Sequence, residues 1–372
     1  MHRLAFLAGL ALLLTACGQE TATPRFIDSG NPALLSEWGQ LEIRNGQLRP
    51  ASGVVAYELT SPLFTDYAHK LRTIWMPEGS QATYREGEVL DFPVGTVITK
   101  TFYYPRSSEA GVLASAYTGE APAKVSALDL DTVELIETRI LVRRENGWDA
   151  IPYRWESNQR EAGLNRIGDI IPIQLDHAGQ RLDFNYIMPN VNQCASCHAP
   201  DSNTREIAPI GPKPRHLNRA FDHGDGPVNQ LAHLVAAGML INTPPADDTP
   251  RNADWTDMSA SLNARARSYL DINCSHCHSP VGPADTSGLF LEPDTPVGPQ
   301  LGLCKPPIAA GGGTGDRPYD IVPGAPELSI LLYRMDSVEA DVMMPEIGRS
   351  TIHAEAVALI RDWITQMDGS CA

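Results

Sequence analysis

Positive charge is scarce in this chain, in which 29 lysine and arginine residues face 45 aspartate and glutamate residues. The formal net charge at pH 7 is -16. Nucleic-acid phosphates require a basic protein surface, and anionic lipid headgroups would repel an acidic one. We therefore exclude nucleic acid as a partner, and we expect the acidity to keep the protein soluble.

Long apolar runs are also missing, apart from one between Leu4 and Leu14. That run is too short to span a membrane as a stable helix, and it lies between a charged start and small residues. The pattern is typical of a secretory signal peptide, predicted over residues 1–16. Cys17 then resembles the acceptor cysteine of a bacterial lipoprotein, with signal-peptidase cleavage before an incidental cysteine as the alternative. Because Gly18 is not the aspartate of an inner-membrane retention signal, we expect a periplasmic protein with a lipid anchor at Cys17 in a Gram-negative outer membrane.

Cysteine is rare, yet four of the seven cysteines fall into two copies of one motif. Each copy reads Cys-x-x-Cys-His, at residues 194–198 and 274–278. In this spacing two thiols can add to the vinyl groups of one haem, while the adjacent imidazole reaches the iron from the same side. The alternatives are a redox dithiol and half of a zinc site. Two copies in an exported chain favour two haem c groups, with these attachment and iron-binding residues: Cys194, Cys197, Cys274 and Cys277, and His198 and His278.

Two further cysteines, Cys304 and Cys371, remain after the haem and lipid sites are assigned. An even remainder in an oxidising compartment predicts a disulfide that closes a long loop. Two buried free thiols are the alternative.

The length of 372 residues predicts two or three folded units. After a polar tether at 17–28, residues 29–190 contain short β-branched and aromatic runs between turn residues, which indicates an antiparallel β-sandwich-like domain. Alternation is clearest over 136–143 and 182–188, and Asn146-Gly147 predicts a type I′ hairpin turn. We find no Ser-His-Asp arrangement in this region.

Residues 191–258 form the predicted first haem-binding segment. Its prolines and glycines forbid regular structure over 207–219, where Lys213, Arg215 and Arg219 are candidates to pair with haem propionates or are solvated surface charges. No helix precedes this motif and no Met-Pro pair follows it at the usual place. The sixth iron ligand is therefore left open among four residues: Met239, His216, His223 and His233.

Residues 259–372 contain a helix, the second motif, a long irregular loop, Met344-Pro345 and a closing amphipathic helix over 353–367. This order resembles a class I cytochrome c domain. The resemblance implies mainly α-helical haem domains after the β domain, in a multidomain α+β fold. It also implies that the Met344 thioether is the distal ligand of the second haem, with Met343 and Met335 as competitors.

The whole chain resembles a family of dihaem c-type cytochrome lipoproteins with an N-terminal β domain. The phrases that carry this resemblance lie at 61–64, 92–96, 210–213 and 265–271. It implies transfer of single electrons through two covalently bound haems, and the acidic surface would suit a basic redox partner protein. The alternative is a dihaem peroxidase or oxidase with an open iron position at the first haem, so whether the protein is an enzyme stays open.

Overall fold

The computed structural model describes residues 22–115, 127–308 and 310–371. The predicted signal peptide and the predicted lipid acceptor Cys17 lie outside these ranges. So do the first residues of the predicted tether.

Strands make up most of the regular structure in the first half of the described chain. They are β1 Leu41–Arg44, β2 Gln47–Pro50, β3 Val55–Tyr57, β4 His69–Trp75, β5 Ala82–Thr83, β6 Val97–Pro105, β7 Leu113–Ala114, β8 Leu128–Asp129, β9 Val133–Arg144, β10 Gly147–Trp155, β11 Ala162–Leu164, β12 Asp169–His177, β13 Gln180–Met188, β14 Ala220–Asp222, β15 Pro227–Asn229 and β16 Leu240–Ile241. The largest sheet has the order β11-β10-β9-β6-β4-β3, and all of its neighbouring strands are antiparallel.

Two smaller sheets cover this central sheet. The sheet β1-β2-β8 packs on one face around Leu48 and Leu128, and β12-β13 packs on part of the other around Phe102 and Tyr186. The predicted alternation of β13 is confirmed, since Leu182, Phe184, Tyr186 and Met188 are its more buried positions. This strand leads directly to the first motif.

The β9–β10 hairpin differs from the predicted turn. Gly147 has a φ of +123°, but Asn146 is not among the residues of positive φ, as a type I′ turn would require. The two strands still pair from Arg144 opposite Gly147 to Glu137 opposite Arg154. The turn residues therefore predicted the hairpin correctly, but the predicted turn type was wrong.

The prediction of mainly α-helical haem domains is wrong. The chain is mostly strands in several sheets, and only 21% is helical. The α-helices of the described ranges are α1 Val191–His198, α2 Pro214–Leu217, α3 Gln230–Ala236, α4 Leu262–Leu270, α5 Ile330–Met335 and α6 Ala354–Thr365. Prolines and glycines recur through residues 280–329, where they break helices and leave short 3₁₀ turns instead.

The segments predicted as separate units share apolar contacts. One core cluster joins Ile74 and Ile98 of the central sheet to Leu217 and Leu231 of the segment after the first motif. A second cluster surrounds α4 and α6. The sulfur atoms of Cys304 and Cys371 lie 2.15 Å apart, and this crosslink stabilises the fold by about 4 kcal/mol in the chain-entropy model.

Candidate functional site

The first motif lies on α1, which begins three residues after the end of strand β13. The Asn190 side chain caps the helix by accepting hydrogen bonds from the backbone N–H groups of Asn192 and Gln193. The Gln193 side chain accepts one in return from the Asn190 N–H, at 3.0 Å. This capping box fixes the start of the helix, and with it the positions of Cys194 and Cys197 one turn later.

His198 is held in one tautomer. Its Nδ1 lies 2.8 Å from the Ala208 carbonyl oxygen, which can only accept, so Nδ1 carries the proton. Burial, with the nearby charge of Lys100, lowers the pKa of His198 to about 3. The ring is therefore neutral, and Nε2 keeps the lone pair that an iron ligand needs.

The second motif follows α4, which continues through the π-helix Asp271–Ser275. His278 resembles its counterpart, because burial lowers its pKa to about 4 and its Nδ1 lies 3.5 Å from Ser287 Oγ. Burial also raises the pKa of Cys274 and of Cys277 to about 12. Reactive dithiols have lowered thiol pKa values, so this arrangement does not fit a redox dithiol.

Both motifs line one cavity of about 740 Å³, which is within the usual range of about 300–1,000 Å³ for ligand pockets. The motifs also touch, since Cys277 Sγ lies 3.7 Å from the Ser196 carbonyl oxygen. The four cysteines are free thiols, and no group of three His, Cys, Asp or Glu side chains in the described ranges converges on a metal ion. Within the described ranges the two motifs therefore meet at one shared cavity.

The central sheet forms the opposite wall of the cavity. Arg72, Lys100 and Arg139 stand opposite one another on β4, β6 and β9, and all three line the cavity. Glu58 pairs with Arg72, and Glu137 pairs with Arg139. The β domain therefore contributes a row of positive charge directly to the site.

Lys100 is the uncompensated member of this row. Its ammonium makes no ion pair or hydrogen bond within the described ranges and lies 5.1 Å from the centre of the Phe102 ring. Burial lowers the pKa of Lys100 to about 7, and the charges of Arg139 and Arg72 add to the effect. An anionic group in the cavity, such as a haem propionate, would compensate this charge.

The three methionines that are candidate iron ligands after the second motif differ in whether they line the cavity. Met344 and Met335 line the cavity, whereas Met343 does not and is buried elsewhere. The Met344 N–H donates to the Arg334 carbonyl at 2.9 Å, and buried Arg349 donates to the Met344 carbonyl at 2.9 Å. The loop thus holds Met344 at the cavity by its backbone, so its sulfur does not have to contribute to the fold.

None of the four candidates for the first haem's sixth ligand is part of the described cavity wall. His216 is buried beside Asp271, and His223 stacks on His233 with ring centres 3.7 Å apart. Met239 packs against the core under β4 and β6. The candidates for propionate pairing, Lys213, Arg215 and Arg219, are likewise outside that wall.

Arg215 instead connects the two motif regions. It donates two hydrogen bonds to the Asp271 carboxylate, at 2.7 and 2.8 Å, and Asn252 donates a third at 2.8 Å. Burial alone would raise the pKa of Asp271, but these donors and the charge of Arg215 hold it well below its usual range. Asp271 lies at the start of the π-helix that leads to Cys274, so this ion pair ties the first segment to the second motif.

Comparison with protein-family models, curated proteins and solved structures finds no match for this chain. Within the described ranges, no helix has both the length and the apolar character needed to cross a membrane.

Sequence reasoning missed three residues of the cavity wall: Lys100, Arg139 and His276. The alternation of β9 did place Arg139 opposite the face of Ile140. It could not distinguish a face exposed to solvent from one that lines a cavity. The sequence feature that could have indicated His276 is its position between the two cysteines of the second motif, in addition to the two motif histidines His198 and His278.

Proposed function

We propose that this chain binds two haem c groups covalently and transfers single electrons between them and a redox partner protein. The observation that carries the proposal is that both Cys-x-x-Cys-His motifs line one cavity and touch through Cys277 and Ser196. Because the motifs are adjacent, neither site is isolated from the other. When bound, haem c supplies an iron that accepts and releases one electron at a time.

The residues of the chain have distinct parts in this function. Four thiols hold the two groups, and neutral His198 and His278 each offer one nitrogen to an iron. The two sites differ in their other residues: Met344 stands at the second site, while the charges of Lys100 and Arg139 stand at the first. The Met344 thioether and burial would give a haem at the second site the higher reduction potential.

The predicted location also belongs to this proposal. An exported chain would receive its haems on the periplasmic side, and a lipid on Cys17 would hold it at the outer membrane. The acidic surface supports a basic partner protein, since opposite charges accelerate encounter. The resemblance to dihaem c-type lipoproteins supports the same function.

Mass spectrometry of the exported, purified protein tests the proposal. The wild type should carry the mass of two haems after acid-acetone extraction, because thioether bonds survive this treatment. Cys194→Ala/Cys197→Ala and Cys274→Ala/Cys277→Ala should each lose one haem, and Cys304→Ser/Cys371→Ser is the matched control that should keep both. A wild-type protein with one haem or none would overturn the proposal.

A further inference from the structure

His276 is a buried histidine that the fold leaves without a hydrogen-bond partner. It stands between the two cysteines of the second motif, is 9% exposed and lines the shared cavity. Its Nδ1 is shielded from solvent, and within the described ranges neither ring nitrogen makes a hydrogen bond. Buried polar atoms normally have partners, so this imidazole needs one that the polypeptide does not supply.

The second motif contacts the first motif next to His276. Its neighbour Cys277 contacts the Ser196 carbonyl oxygen at 3.7 Å, and the Ser202 N–H donates to the Val281 carbonyl at 2.8 Å. His198 and His276 both line the shared cavity, so the two rings border the same space.

The haem attached to the second motif is not a suitable partner for this ring. In this motif the histidine after the second cysteine is the iron ligand, so His278 and Met344 would complete the coordination of that haem without His276. We propose that His276 is the sixth ligand of the first haem, opposite His198. This inference rests on the proposed function, since it requires a haem at Cys194 and Cys197.

This assignment makes the second motif part of the first site. A ligand carried by the second motif completes the coordination of the first iron, so the first iron has no open position for a substrate. Two imidazoles at the first site and an imidazole with a thioether at the second also give the first site the lower potential. The Lys100 amine also lines the cavity, and it is the competing candidate for the sixth ligand of the first haem.

Low-temperature EPR of the oxidised holoprotein tests the assignment. The wild type should show two low-spin ferric signals. His276→Ala should convert one of them completely to a high-spin signal while both haem masses remain, and added imidazole should restore the low-spin signal. Lys100→Met and the control His233→Ala, whose residue lies outside the cavity wall, should keep two low-spin signals.

His276→Met covers the case in which the alanine variant does not fold. A thioether in place of the imidazole should keep the first haem low-spin and raise its potential. Two low-spin signals and unchanged potentials in both His276 variants would overturn the assignment, as would a high-spin first haem in the wild type or conversion by Lys100→Met. Each of these outcomes is recorded with two haem masses present, whereas missing haem would overturn the proposed function instead.

Discussion

The two Cys-x-x-Cys-His motifs share one pattern but differ in nearly everything around them. The first lies on a short capped helix next to a strand and faces the charged row of Arg72, Lys100 and Arg139. The second follows a longer helix and packs with Cys274 against an apolar cluster that includes Leu270 and Leu291. The same motif therefore occurs in two environments, and under the proposed function these environments would set different potentials for the two haems.

The two regions nevertheless form one structure. The Arg215–Asp271 ion pair, the Cys277–Ser196 contact and the shared cavity join them. The two motifs thus differ in the polarity of their surroundings although they belong to one folded structure. Each of the following variants changes either the link between the motifs or the surroundings of one motif.

Breaking the link between the regions should have the largest effect. Asp271→Asn leaves the buried Arg215 guanidinium uncompensated, so we expect the free energy of unfolding to fall by about 3 kcal/mol. Denaturant unfolding, followed at the haem absorption and by circular dichroism, measures this change. Asp91→Asn removes the exposed Arg85–Asp91 pair and should cost less than about 1 kcal/mol.

The same variant has a predicted pH dependence. The folded-state pKa of Asp271 is depressed, so its contribution is fully present above about pH 4 and is lost as the pH falls below that value. The stability difference between wild type and Asp271→Asn should therefore shrink in acid. A difference that is constant from pH 7 to pH 3 would contradict the role of this ion pair.

The second site should depend on Met344. Met344→Leu removes the thioether that favours ferrous iron, so we expect the potential of the second haem to fall by on the order of 100 mV, or about 2 kcal/mol. The sulfur-to-iron absorption at the red end of the visible spectrum should disappear, while the first haem keeps its potential. Spectroelectrochemical titration measures both.

Met343→Leu is the matched control, because Met343 is buried outside the cavity wall and should leave both haems unchanged. Met335→Leu tests the other thioether at the wall. If Met335→Leu abolishes the absorption and Met344→Leu does not, the ligand is Met335.

The first site should depend on Lys100. At pH 6, below the Lys100 pKa of about 7, Lys100→Met removes a positive charge that stabilises the reduced state. This charge is worth about 1 to 2 kcal/mol at a separation of about 10 Å. The first potential should fall by on the order of 50 mV and the second should change less. Lys100→Arg keeps the charge and should restore most of the difference. Equal shifts in the potentials of both haems would contradict the assignment of this charged row to the first site.

Local patterns in the sequence were sufficient for several features. The spacing of the six motif residues, the alternation of β13 and the closing amphipathic helix each depend on neighbours within one element. The last two appear in the structure, the helix as α6 Ala354–Thr365. The helical content after residue 190 was overestimated. The resemblance implied mainly α-helical haem domains, whereas the structure is mostly strands in several sheets; the irregular loop expected before Met344 contains only short turns between 280 and 329.

Tertiary structure decided how the site is assembled. Ser196 contacts Cys277, and Lys100 lines the same cavity as the first motif. These residues are far apart in the chain, so no local periodicity encodes their proximity. The sequence pattern of a charged strand face is the same whether that face is exposed to solvent or lines a cavity. A histidine between two cysteines likewise becomes informative only when folding has buried it without a partner, because the free-energy cost of an unsatisfied polar atom arises only where water is excluded.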